Sequence, residues 1–168
     1  MKSSALKNRV INKSALTRIK SGVYILVMKS ETQVKSATRK FGDTLLNKGY
    51  YYYAGSAQKN FHHRILRHLR KDKIIHWHID LLSTRKEFTI ISVMIIPEAD
   101  KSYEQKLAGD LEFYFGCSIP FEGFGNSDSK ESKSHLFFSK KQIPYSHFIS
   151  RYQSIVRFKP SSSETSWR

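Results

Sequence analysis

Residues 22 to 28 read GVYILVM, a nearly unbroken β-branched and aliphatic run. A strand with one wet face alternates apolar and polar residues, so a continuous run of this kind predicts a strand covered on both faces. Such a strand belongs at the centre of a sheet, and the rest of the chain has to supply neighbours on each side and helices on each face. NKGYYYYAGSA, from residue 47, supplies a second strand, and FTIISVMII, Phe88 to Ile96, a third that Pro97 stops. A short strand is expected near Gln33 and Val34, and HLFFS, from His135, reads as a C-terminal edge strand.

The helices are legible from period and capping residues. NFHHRILRHLRKD opens on Asn60 as N-cap, carries Phe61, Ile65 and Leu69 on one stripe, and sets Arg64 and His68 beside it one turn apart. KSYEQKLAGDLEFYFG has Ser102 as N-cap with Gln105 three residues on, a capping-box pattern, and closes at Gly116. Its apolar stripe is Tyr103, Leu107, Leu111, Tyr114 and Phe115, which puts Glu104 in the first turn next to buried residues. WHIDLLS, from Trp77, fits a short helix, although the flanking HWH fits an extended segment equally well. The expected fold is α/β in composition and α+β in order: a small, mainly antiparallel sheet of about three core strands flanked by helices, with that C-terminal edge strand. Residues 21–150 form the expected domain, residues 1–20 a basic, partly flexible leader, and residues 151–168 a tail.

Charge narrows the partner. The 168 residues carry 29 Lys and Arg against 14 Asp and Glu, a formal charge of +15. Such a surface favours a polyanion, DNA first and RNA second. Arg67, Arg70, Lys71 and Lys73, on or just after the basic helix, are the candidate phosphate contacts. With no apolar run near the roughly 20 residues of a membrane span and no apolar secretory core, a membrane partner is not expected. Cys117 is the only cysteine, so a disulfide within the chain and a cysteine zinc cage are excluded; this fits a reducing, cytoplasmic location. His62, His63, His76 and His78 make only a weak zinc pattern. No small-molecule cofactor is expected, and a homodimer is compatible with the sequence.

A period of two sends Tyr51 and Tyr53 to one face of their strand and Tyr50 and Tyr52 to the other. Strand tyrosines are ordinarily packing residues with a wet hydroxyl. Here Gly55 ends the run where backbone can approach a phosphate, and the helix with Arg64 and His68 follows. Trp77 reads as core and Asp80 as a hydrogen-bonding residue near that helix, although HWHID also fits a cleft lining, and Asp128 and His135 flank a surface loop.

These residues carry a resemblance. Gly22-Val23-Tyr24 resembles the GIY element, and Tyr53-Ala54-Gly55 the YIG element, of the GIY-YIG nuclease superfamily. Arg64, His68 and Glu104 follow in an order and spacing similar to that superfamily's catalytic set. YYYAGSA, RHLR, HWHID and GFG-x-x-D followed by SHLF look like a small uncharacterised prokaryotic branch, sometimes fused to endonuclease III-type DNA glycosylases. The likeness spans Ser21 to Phe138. It departs in three places: Lys29 to Lys48 lengthens the interval between the tripeptides, cysteines of the late GFG loop are replaced by Ser and Glu, and Gly116 stands near where some members place an asparagine. The resemblance implies a metal-dependent DNA endonuclease in repair, recombination or defence, structure-dependent or weakly sequence-specific. It implies Mg²⁺ or Mn²⁺ on Glu104 and Tyr24 as general base, its phenol ionised with the help of adjacent cations. Tyr53 would position water or phosphate, Arg64 hold the scissile phosphate, and His68 assist proton transfer or bind phosphate. The alternative is a module of the same fold that binds nucleic acid without cutting it.

Overall fold

The computed structural model describes residues 9–36, 38–125 and 131–161. Among them are eight strands and five α-helices. The mixed α+β architecture, with a mainly antiparallel sheet flanked by helices, is the one expected. In chain order the strands are β1 (Val10–Ile11), β2 (Gly22–Ser30), β3 (Val34–Lys35), β4 (Leu45–Leu46), β5 (Gly49–Ala57), β6 (Phe88–Pro97), β7 (Leu136–Ser139) and β8 (Val156–Phe158). The α-helices are α1 (Lys13–Thr17), α2 (Phe61–Leu69), α3 (Asp80–Ser83), α4 (Tyr103–Gly109) and α5 (Tyr145–Arg151).

The apolar run is indeed central. The main sheet has the order β1-β8-β6-β2-β5-β7, so β2 lies between the two long strands that the sequence also marks. It pairs antiparallel with both, Tyr24 opposite Gly55 on one side and Ile95 on the other. β7 is an edge strand, as expected. The sheet is wider than the three strands anticipated: β8 pairs antiparallel with β6, and β1 pairs parallel with β8. Residues assigned to leader and tail therefore join one sheet, while 1–8 and 162–168 lie outside the described residues. The lengthened interval after β2 holds the small β3–β4 pair.

Two cores form, one on each face. One contains Tyr24, Tyr51 and Tyr53 with Phe61, Ile65 and Leu69 of α2. The other contains Tyr52 with Leu107 and Leu111 of the α4 region and Phe148 of α5. The period-two division of the tyrosines thus holds. Tyr51 donates to the Asn47 carbonyl (2.6 Å) and Tyr52 accepts from the Ile143 amide (2.9 Å), so both are packing residues with satisfied hydroxyls.

Helix starts differ from expectation in detail. Asn60 precedes α2 but has φ 52°, and its side chain makes no capping bond. Ser102 does not cap α4; the Asp100 carboxylate accepts from the Ser102 amide instead (2.8 Å). Beyond Gly109 the helix widens into a π turn, Asp110–Tyr114, before Gly116 at φ +71°.

Candidate active site

Tyr24, Tyr53, Arg64, His68 and Glu104, drawn from β2, β5, α2 and α4, line one cleft of about 500 Å³. The register explains the first pair. Tyr24 faces Gly55 across the β2–β5 ladder, and Tyr53 lies two residues before Gly55 on the same face. A Cβ at Gly55 would sit 2.6 Å from both Cζ and Oη of Tyr24. The glycine of the tripeptide therefore makes room for the Tyr24 phenol, a requirement more immediate than the phosphate approach inferred from sequence.

The Tyr24 hydroxyl lies 2.8 Å from His68 Nε2, inside the protein. Burial raises the Tyr24 pKa, the charge of a neighbouring Tyr53 phenolate and of Glu104 would raise it further, and Arg64 opposes this without prevailing. The expectation that nearby cations favour the ionised phenol is thereby corrected: burial wins and the phenol stays protonated. Burial, reinforced by Lys73, lowers His68 to about 3, so the imidazole is neutral at physiological pH. His68 Nδ1 is buried and finds no hydrogen-bond partner among the described residues. Burial also raises Tyr53.

Arg64 donates to the Ser56 carbonyl at 2.8 Å and its guanidinium lies 4.8 Å from the Trp77 ring centre, which holds it at the cleft wall. Glu104 is 15% exposed, with Oε1 2.8 Å from His135 Nδ1. Burial pushes its carboxyl up, but hydrogen bonds from His135 and Ser56 outweigh this and hold it below the usual range, hence ionised. His135 in turn lies 3.0 Å from Ser132 Oγ, and its backbone is fixed between Phe124 and Ala54.

An ionised carboxylate facing a polar cleft fits a hard divalent cation. Among the described residues no group of three or more His, Cys, Asp or Glu could hold a metal, so such an ion would depend on Glu104, with water and phosphate oxygens completing its shell. The histidine zinc pattern gains no support.

The predicted phosphate contacts divide. Arg70 is exposed, with only Asp72 at 3.5 Å beside it. The other three make contacts within the chain. Arg67 makes a two-pronged contact with the buried Asp80 carboxylate (3.1 and 3.0 Å). Lys71 donates to the Arg85 and Phe88 carbonyls, and Lys73 donates to Arg67 and His68 carbonyls (3.2 and 2.8 Å) near Asp80. Helix α2 ends at Leu69, and the chain turns Lys73 inward onto carbonyls left open at its end, while Lys71 satisfies carbonyls at the start of β6 and just before it.

Sequence reasoning missed Lys101 and the His135 contact with Glu104, and Trp77, read first as core, takes the alternative place at the cleft that HWHID offered. The late GFG stretch signals part of this. Gly125, at φ +73°, packs against Tyr53 so closely that a Cβ would lie 2.9 Å from its ring, and its amide donates to His78 Nδ1 at 2.8 Å. Asp128 lies outside the described residues. Among the described residues no helix is long and apolar enough to cross a membrane.

No curated protein and no solved structure matches this chain. One family does, over residues 23–157. That match takes in the central strands, α2, α4 and the whole cleft, and the chain accordingly belongs to the family described as the domain of unknown function DUF123.

Proposed function

We propose that the chain is a metal-dependent endonuclease of GIY-YIG type that hydrolyses DNA phosphodiesters. The observation that carries this reading is the convergence of Tyr24, Tyr53, Arg64, His68 and Glu104, scattered over 81 positions of sequence, on one cleft of a strongly basic protein. Each has a bland role separately; a common cleft is what a phosphodiester site requires.

Arg64 offers paired donors to the scissile phosphate, and Trp77 behind it limits its freedom, so the phosphate meets an arginine already aimed. Tyr53, with Gly125 against its ring, orients the attacking water or a phosphate oxygen. Tyr24 takes a proton from that water while its own passes to His68 Nε2, leaving the phenol neutral throughout. The anionic phosphate, arriving beside His68, raises the basicity that burial suppresses. Glu104 would hold Mg²⁺ or Mn²⁺, which supplies positive charge where negative charge develops on the phosphoryl oxygens and leaving group. His135 and Ser56 keep that carboxylate ionised and oriented.

The test is incubation of supercoiled plasmid and of end-labelled duplex and branched DNA with the protein in Mg²⁺, Mn²⁺ or EDTA. Nicks that require the metal support the reading. Tight DNA binding without cutting under every metal and DNA form would instead make the chain a nucleic-acid-binding module.

A further inference from the structure

The segment between α2 and α3 ends in an apolar tip. Ile74 is 89% exposed and Ile75 48% exposed, and the next three residues, His76, Trp77 and His78, line the cleft. Two residues of chain reach at most about 7 Å, so the tip sits at the rim of the site.

The tip has firm support. Arg67 donates to the Ile74 carbonyl at 2.8 Å, and Asp80 Oδ2 accepts from the His76 and Trp77 amides at 2.9 and 3.0 Å. A guanidinium also lies on each of two contacts with Trp77, Arg64 at 4.8 Å and Arg67 at 4.4 Å. Ile74, on a loop tied down at this many points, gains little from burial within the chain, and Ile75 is only half covered. The chain carries a formal charge of +15, and Arg70, with Asp72 at 3.5 Å, is exposed nearby, while Lys71 and Lys73 turn inward onto backbone carbonyls. A solvent-exposed apolar tip inside a positive field, beside a phosphodiester cleft, has the chemistry of a wedge that enters a base stack while cations hold the flanking phosphates.

We propose that Ile74, seconded by Ile75, is a wedge that inserts at an interrupted base step, so that the favoured substrate class is DNA with a nick, bulge or branch next to the scissile phosphate. The identity of the occupant rests on the nuclease reading above. Unstacking is cheapest where the stack is already broken, which gives structure preference without base-edge contacts.

The experiment uses the full chain in EDTA and DNA carrying 2-aminopurine beside a nick or bulge, a probe whose fluorescence rises on unstacking. Wild type should raise the signal and Ile74→Phe should preserve it. Ile74→Ser should reduce the rise by about threefold or more and weaken binding to continuous duplex by less than about twofold, since phosphate contacts remain. An unchanged rise with Ile74→Ser, no rise with any protein on bound DNA, or no DNA binding would each overturn the wedge, and the first two would turn the tip toward a protein partner. Cleavage of the same DNA with Mg²⁺ is read separately: unstacking without cutting leaves the wedge standing and sinks the nuclease, whereas cutting insensitive to Ile74 does the reverse.

Discussion

The contact between Tyr24 and His68 joins two groups that burial has pushed in opposite directions, the phenol up and the imidazole down. Keeping His68 neutral has a consequence for stability. Unfolded, its pKa is near 6.5, and folded it is about 3, so between these values the unfolded chain binds the proton and the folded chain does not. Stability is full above pH 6.5 and falls on acidification by up to roughly 1.4 kcal/mol per pH unit from this one residue. Urea midpoints at pH 7.5, 6 and 4.5 should fall for wild type, and His68→Gln should lose part of that slope. Gly55→Ala makes a second residue-scale prediction. The added methyl must displace Tyr24, costing about 1–3 kcal/mol by chemical denaturation and removing cleavage.

Tyr24, Tyr53, Arg64, His68 and Glu104 could be singled out because their order and spacing resemble the catalytic set of the GIY-YIG superfamily, with strand and helix periods placing them on elements. The contact of His135 could not, and Trp77 reads first as core. Their places at the cleft depend on how the segments before β7 and α3 fold back, and neither segment has a period that fixes side-chain direction.

At the scale of elements, the segment from the end of α2 to α3 is organised by one carboxylate. Burial raises Asp80, but hydrogen bonds from Arg67 and the Trp77 and His76 amides prevail and hold it at about 2. It is fully buried, with Arg67 at 3.0 Å and Lys73 at 3.4 Å. Asp80→Ala leaves those cations facing an uncharged interior, a change expected to cost about 3–5 kcal/mol. Thermal unfolding should register it, and tryptophan fluorescence should report Trp77 released. A run of basic residues shows charge, whereas the inward turn of Lys73 onto the Arg67 and His68 carbonyls, and of Lys71 onto the Arg85 and Phe88 carbonyls, depends on how the chain folds back once the helix has ended.

At the scale of the whole molecule, the long strands and their antiparallel order were legible because β2, β5 and β6 are each long enough to display a pattern. β1 and β8 have only two and three residues, too few to show a period of two. They therefore read as leader and tail, although they complete the sheet beyond β6. The formal charge of +15 belongs to this scale as well. DNA affinity should fall by about tenfold or more between 50 and 200 mM salt if several phosphates are neutralised, which a fluorescence anisotropy titration measures.

In the nuclease reading proposed above, the Glu104 carboxylate is the group on which cutting depends. The direct measurement is single-turnover cleavage of branched DNA by wild type and Glu104→Gln, at protein concentrations that saturate each, in Mg²⁺, Mn²⁺ and EDTA. Wild type should cut only with metal, and the variant should lose about 100-fold or more with DNA affinity nearly unchanged. Equal cutting by both proteins, or cutting that persists in EDTA, would contradict that reading.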